Sequence, residues 1–265
     1  MRKSMLLVAA AAFIGGFAQE AKAEGPPQAE LHVWAGNKAD DSGSIGLRSV
    51  EVAAWASRWD RIGVRYDNSL SQDNPTLARL GIEAEAYFLS YQHDFNGDFI
   101  AMGEVGMREL PGGAEQRIYK GEGVFLNDGR ATKLGLQVSP TDTPTGDYTD
   151  TVAYVSHNFP VSEHWRLEPA LFVSESGALG DREWRAAGYA EYNAPSGWQL
   201  GVGGGYGQVD SDLPAASGGV ANAHARLSFP IQEQIQLHFQ VRYEDAPLTS
   251  YSAGLVGVSI RLPRS

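Results

Sequence analysis

Residues 221–244 read ANAHARLSFPIQEQIQLHFQVRYE. Ala221, Ala223, Ala225, Leu227 and Phe229 share one parity, and Asn222, His224, Arg226 and Ser228 share the other. After Pro230–Glu233 the alternation resumes: Ile235, Leu237, Phe239, Val241 and Tyr243 against Gln236, His238, Gln240, Arg242 and Glu244. A strand repeats every two residues, so each run has one apolar and one polar face. A soluble strand turns the apolar face inward. A strand of a membrane barrel turns it out to lipid and lines the lumen with the polar face.

The same alternation recurs along the chain. It predicts strands over residues 30–36, 46–57, 62–69, 82–93, 99–109, 117–126, 132–139, 149–158, 165–174, 184–193 and 198–207, then the 221–244 hairpin, then 251–262. Asn96-Gly97 and Asn127-Asp128-Gly129 are hairpin signals, because these residues tolerate positive φ. The expected fold is all-β: an up-and-down antiparallel transmembrane β-barrel of about 14 strands, within a range of roughly 12 to 16. Strands of about ten residues are long enough to cross a bilayer when tilted. The connections are expected to alternate. Short ones (59–61, 95–98, 127–129, 160–163, 194–197, 230–233) lie at one end, and long acidic ones, including 37–44, 72–75 and 210–219, lie at the other. A soluble barrel of this size would be too wide for its side chains to fill. The soluble alternative is therefore two packed sheets or a propeller.

The N-terminus reads Met1-Arg2-Lys3, an apolar run from Met5 to Phe17, then Ala21-Lys22-Ala23. A basic start, a short apolar core and a small-x-small site predict a cleaved signal over residues 1–23, with one outer-membrane barrel over 24–265. The apolar run is too short to span ~30 Å of hydrocarbon. There is no cysteine, which excludes a disulfide framework and a cysteine-borne lipid anchor, and suits a bacterial envelope. The net charge is −11; removing three bases and one acid with the signal makes it −13, which argues against nucleic acid as a partner. The 31 glycines, 11 tyrosines and 6 tryptophans favour strands with interfacial aromatics.

If the polar parity lines the lumen, the candidate lining is Glu51, Trp55, Arg65, Glu85, Tyr87, Tyr91, Glu104, Arg108, Lys120, Glu122, Arg166, Glu168, Arg185, Glu191, His224, Arg226, His238 and Arg242. Both signs interleave from strand to strand. Trp55, Tyr87, Tyr91 and Phe172 share that parity and would offer stacking faces to sugar rings. The expected partners are outer-membrane lipid, the barrel-assembly machinery and a glycan or small solute. No cofactor and no metal are expected. A hairpin centred near Ile231 would place His224 opposite His238, but no third ligand is evident. No histidine lies beside a long loop with a serine of the same parity, so no hydrolase site is expected. Gly201-x-Gly203-Gly204-Gly205 sits within a strand pattern and opens no helix, so it is not a phosphate loop.

Residues 29–262 as a whole resemble bacterial outer-membrane β-barrels. Trp59-Asp60-Arg61-Ile62-Gly63-Val64-Arg65-Tyr66 and Gly81–Tyr91 resemble the YaiO-like group, which is similar to the terminal export barrels of exopolysaccharide systems. The resemblance implies a passive port without catalytic residues. One departure is the C-terminus: such barrels usually end on an aromatic residue, whereas this chain ends Leu262-Pro263-Arg264-Ser265. The alternative functions are a closed structural or adhesion barrel with acidic surface loops and, third, a lipid-modifying enzyme barrel.

Overall fold

A computed structural model describes residues 27–40, 43–68, 84–110, 112–144, 146–178 and 180–263. The signal expected over residues 1–23, the loop 72–75 and the last two residues lie outside them. The strands are β1 (Ala29–Asp40), β2 (Gly43–Trp55), β3 (Asp60–Asp67), β4 (Glu85–Phe95), β5 (Phe99–Leu110), β6 (Ala114–Asn127) and β7 (Arg130–Asp142). They continue as β8 (Tyr148–Pro160), β9 (Trp165–Ser176), β10 (Asp181–Asn193), β11 (Gln199–Asp210), β12 (Gly218–Gln232), β13 (Ile235–Ala246) and β14 (Thr249–Leu262). Each strand pairs antiparallel with its sequence neighbours, and β1 pairs with β14 from Ala29↔Leu262 to Asp40↔Tyr251, so the sheet is a closed barrel. Closure leaves no unpaired edge, which is the condition for strands in lipid.

The apolar parity points outward. Val64, Leu89, Val105, Leu136, Leu171 and Val241 are exposed on the outer surface, while Arg108, Lys133, Glu168, Arg185 and Glu244 are buried within. Two aromatic belts flank the apolar band. Near one end Phe95 stacks on Phe99 (5.5 Å) and Phe99 meets Phe125 (4.8 Å), while Tyr192 lies between Trp165 (5.2 Å) and Trp198 (5.3 Å). Toward the other end stand Tyr66, in contact with Tyr87 (5.3 Å), and the exposed rings of Trp184, Tyr206 and Tyr243. Rings with an apolar body and a polar edge settle at the two water–lipid boundaries.

The hairpin signals act as expected at Asn96 (φ 61°) and Gly97 (φ 84°), where Asp94 Oδ1 also accepts from the Gly97 N–H at 2.7 Å. The alternation of long and short connections is weaker than the sequence implies. Residues 37–40 and 43–44 are strand, with Asp40 paired to Gly43, and Leu110 likewise pairs with Ala114 and Ala246 with Thr249. Acidic and glycine-bearing segments read as loop are strand ends that extend the hairpins. Glu115 and Asp142, expected in loops, therefore stand on the outer rim, where Glu85, Glu109, Glu115 and Asp142 follow one another in cross-strand register.

The 221–244 hairpin is longer than expected. Residues 230–232 belong to β12, with a bulge between Pro230 and Gln232, and Gln232 pairs with Ile235 across Glu233-Gln234. Proline lacks a ladder N–H and is tolerated at a bulge, so Pro230 interrupts the pairing without ending the strand. The register that results places His224 opposite Arg242, Arg226 opposite Gln240 and Ser228 opposite His238. The expected His224–His238 pair is not formed.

Candidate functional site: the barrel lumen

The inward parity begins on β1 with Glu30, His32, Trp34, Gly36, Lys38 and Asp40, and repeats on every strand. Glu51, Trp55, Arg65, Glu104, Arg108, Lys120, Glu122, Arg166, Glu168, Arg185, Glu191, His224, Arg226, His238 and Arg242 all take it. Glu85, Tyr87 and Tyr91 do not. On β4 the inward residues are Ala86, Phe88, Ser90 and Gln92, so these three lie on the outer face. Tyr91 donates to Asp60 Oδ1 (2.6 Å) at the rim, beside His93 (2.8 Å) and Ser57 (2.5 Å). Tyr66 donates to Glu85 (3.0 Å). The charge of Glu85 suggests a lumenal parity, but at a strand end a carboxylate reaches water from either face. The lumenal ring of β4 is Phe88, with the Arg65 guanidinium 4.0 Å from its centroid.

The inward charges pair both across strands and along them. Arg61 donates to Glu30 (3.0 Å) and Glu51 (2.7 Å), and Arg65 to Asp67 (2.9 Å) and Glu104 (3.1 Å). Arg185 bridges Glu183 and Glu244, the latter at 2.7 Å. Glu168 accepts from Lys133 (3.3 Å), Ser156 (2.8 Å) and Asn158 (3.1 Å). Gln116 links Arg108, Thr141 (2.8 Å) and Asp150 (3.2 Å), and Tyr154 donates to Glu122. Such pairing fixes long side chains against the wall and leaves both signs of charge along the lumen.

The Arg185–Glu244 contact passes over β11, whose inward residues include Gly201, Gly203, Gly205 and Gly207. A Cβ at Gly201 would stand 1.7 Å from Tyr189 Oη, and one at Gly203 would stand 2.5 Å from His224 Cε1. The Tyr189 and His224 rings stack over this glycine strip at 5.5 Å and 10°. The glycine run thus makes room for a ring layer and for an arginine reaching along the wall.

Where the barrel closes, His32, Ser259, His238 and Ser228 form a chain of contacts across β1, β14, β13 and β12. Sequence reasoning missed His32, Glu30 and Ser259, although the alternation in residues 30–40 and 251–262 assigns them the inward parity. Among the described residues no cluster of metal-ligating side chains is present.

No family model matches the chain, and no curated protein matches it. Solved structures do. A structure described as a bacterial polysaccharide outer membrane secretin aligns with TM-score 0.62 at 13% identity, over 89% of this chain and 99% of that one. The CymD monoaromatic hydrocarbon channel aligns with TM-score 0.58 at 9% identity, over 93% and 91% of the two chains. The NanC porin aligns with TM-score 0.52 at 12% identity, over 88% and 100%. At these identities the likeness is one of fold, and the fold is that of the bacterial outer-membrane β-barrels.

Proposed function

We propose that this chain is a passive outer-membrane conduit for small solutes or glycans. The observation that carries the reading is the inversion of its two parities: apolar residues between aromatic belts outside, paired charges inside a closed barrel. An apolar outer surface of this extent needs an apolar partner, and between two aromatic belts on a closed barrel that partner is lipid. Fourteen strands exceed the about eight whose side chains fill a barrel, which leaves room for a polar path beside the paired charges. The fold-level likeness to a hydrocarbon channel, a porin and a polysaccharide secretin supports transport over adhesion. The YaiO-like resemblance of residues 59–66 and 81–91 favours an export port for a glycan. In this reading residues 1–23 are a cleaved signal, residues 24–265 form the barrel, and assembly machinery inserts it.

The enzyme alternative is weaker. A serine hydrolase orients its histidine by a carboxylate on the second ring nitrogen. His238 instead meets serine hydroxyls at both nitrogens, Ser228 at Nδ1 and Ser259 at Nε2, each at 2.8 Å.

The test is single-channel recording of the signal-cleaved protein in planar bilayers. The expected result is stable conducting steps, with current blocked in the presence of a neutral or charged oligosaccharide that enters the lumen. Silence from a barrel whose electrophoretic migration shows it to be folded would turn the reading to a closed structural or adhesive barrel.

A further inference from the structure

The His32–Ser259–His238–Ser228 chain has a use in a conduit, and the inference that follows rests on the conduit reading. Nδ1 of His32 and Nε2 of His238 each lie 2.8 Å from Ser259 Oγ, and Nδ1 of His238 lies 2.8 Å from Ser228 Oγ. Each residue is a few positions from the end of its strand, on the side where β2 turns into β3 and β12 into β13. The chain therefore lies on the inward face near the mouth that carries those turns, buried in the wall, so that its charge acts on a passing ion through space. A hydroxyl has one proton to give. With neutral imidazoles Ser259 can donate to one ring and accept from the other. With both rings protonated, both donate to it, and its own proton must find an acceptor outside the chain.

The charges around the two rings come from several strands. His32 faces Glu51 of β2, Arg61 of β3, Arg226 of β12 and Arg261 of β14. His238 faces Arg226, Arg261 and His32, and the Arg226 guanidinium lies 3.1 Å from its Nδ1. Glu30 is the cross-strand partner of Arg261 and is bonded to Arg61. Glu191 of β10 acts on Arg226. Arg61, Arg226 and Arg261 are thus set against Glu30, Glu51 and Glu191, a balanced ring while both imidazoles are neutral. Trp34 fixes the geometry, with His238 stacked on it at 5.3 Å and Arg226 over the indole at 5.4 Å.

We propose that His32 and His238 set the ion preference of this mouth: as pH falls they add positive charge to a balanced ring and turn its preference toward small anions. The ions it acts on are small inorganic or carboxylate-bearing anions passing the mouth. The effect follows from simple Coulomb energy. One unit charge about 7 Å from a passing ion in a water-like medium changes its occupancy by roughly threefold.

The experiment is reversal-potential measurement across a potassium chloride gradient at about pH 7.5 and about pH 3. The wild-type protein is compared with the H32N/H238N variant, and folding of both is verified by heat-modifiable migration. The wild type is expected to gain anion preference by about threefold for each proton taken up, and the variant to lose that gain. The variant corrects for lumenal carboxylates, which also lose charge in acid. If it fails to fold, H32N and H238N are measured singly and each is expected to lose part of the swing, H32N the larger part, because Glu51 faces His32 whereas Arg226 and Arg261 face His238. A barrel that conducts with the same acid swing in wild type and variants overturns the inference and leaves the conduit standing. A folded barrel that does not conduct overturns the conduit, and the inference with it.

Discussion

The most constrained residues of the lumen are the smallest. Gly201, Gly203, Gly205 and Gly207 put four side-chain-free positions on one inward face, and neighbouring strands use the space. At Gly207 a Cβ would fall 2.0 Å from the Trp184 carbonyl oxygen, so there the backbone itself needs glycine. At Gly201 the nearest atoms are all of the Tyr189 ring, so there the glycine serves a side chain. This distinction makes a prediction. Gly201→Ala is expected to destabilise the folded barrel by about 1 to 3 kcal/mol, because the ring must leave its seat. In the Tyr189→Ala background the same change should cost under about 0.5 kcal/mol. Urea unfolding from lipid vesicles measures the cycle, and an undiminished cost in the second background would mean that the backbone, not the ring, requires glycine. The sequence excluded a phosphate loop here but could not reveal which rings cover the glycines, since that depends on neighbours in space.

At the scale of strands, what was legible is what period two encodes. The alternation in residues 221–244 is enough to separate the two faces of β12 and β13, and it places Arg226, His238 and Arg242 inward. The alternation does not encode which residues stand opposite. That depends on the turn, and Pro230 invites the wrong one. A bulge before Glu233-Gln234 moves the partner of His238 from position 224 to Ser228. Strand β4 failed for a different reason: tyrosines suit both a lumen and an interface belt, and Tyr87 and Tyr91 went to the belt. Neither tyrosine therefore offers a stacking face to a sugar in the lumen, and the inward ring of that strand, Phe88, is buried under the Arg65 guanidinium. The register carries its own prediction. Directly opposed Cα atoms are about 4.5 to 5.5 Å apart, within the range of a disulfide. A Ser228→Cys/His238→Cys variant is expected to crosslink on mild oxidation. A His224→Cys/His238→Cys variant is not, because its sites are separated by four residues of strand, about 13 Å. Mass spectrometry of the oxidised protein decides between them, and crosslinking of the second pair alone would restore the hairpin centred on Ile231.

At the scale of the molecule, one closed sheet separates two solvents, and the cost of placing a charge should depend on which side it faces. Leu136 and Gln137 are adjacent at the middle of β7, yet the first is 52% exposed on the outer surface and the second is buried toward the lumen. In water these exposures would make Leu136 the more permissive site, since an exposed leucine replaced by arginine loses little. In a bilayer the order reverses: an arginine at the midplane of a lipid face costs about 2 to 4 kcal/mol, whereas an arginine toward a polar lumen finds water and carboxylates. Leu136→Arg is therefore expected to reduce the fraction of barrel that folds into vesicles and to lower its urea midpoint, with Gln137→Arg close to the wild type. The comparison holds sequence position, strand and introduced side chain nearly constant, so the difference isolates the medium. Equal tolerance at both sites would remove lipid from the outer face and return the aromatic belts to ordinary surface residues. A larger penalty at Gln137 than at Leu136 would mean that the interior is packed rather than wet, and with that the case for a conduit would fail before any current was recorded.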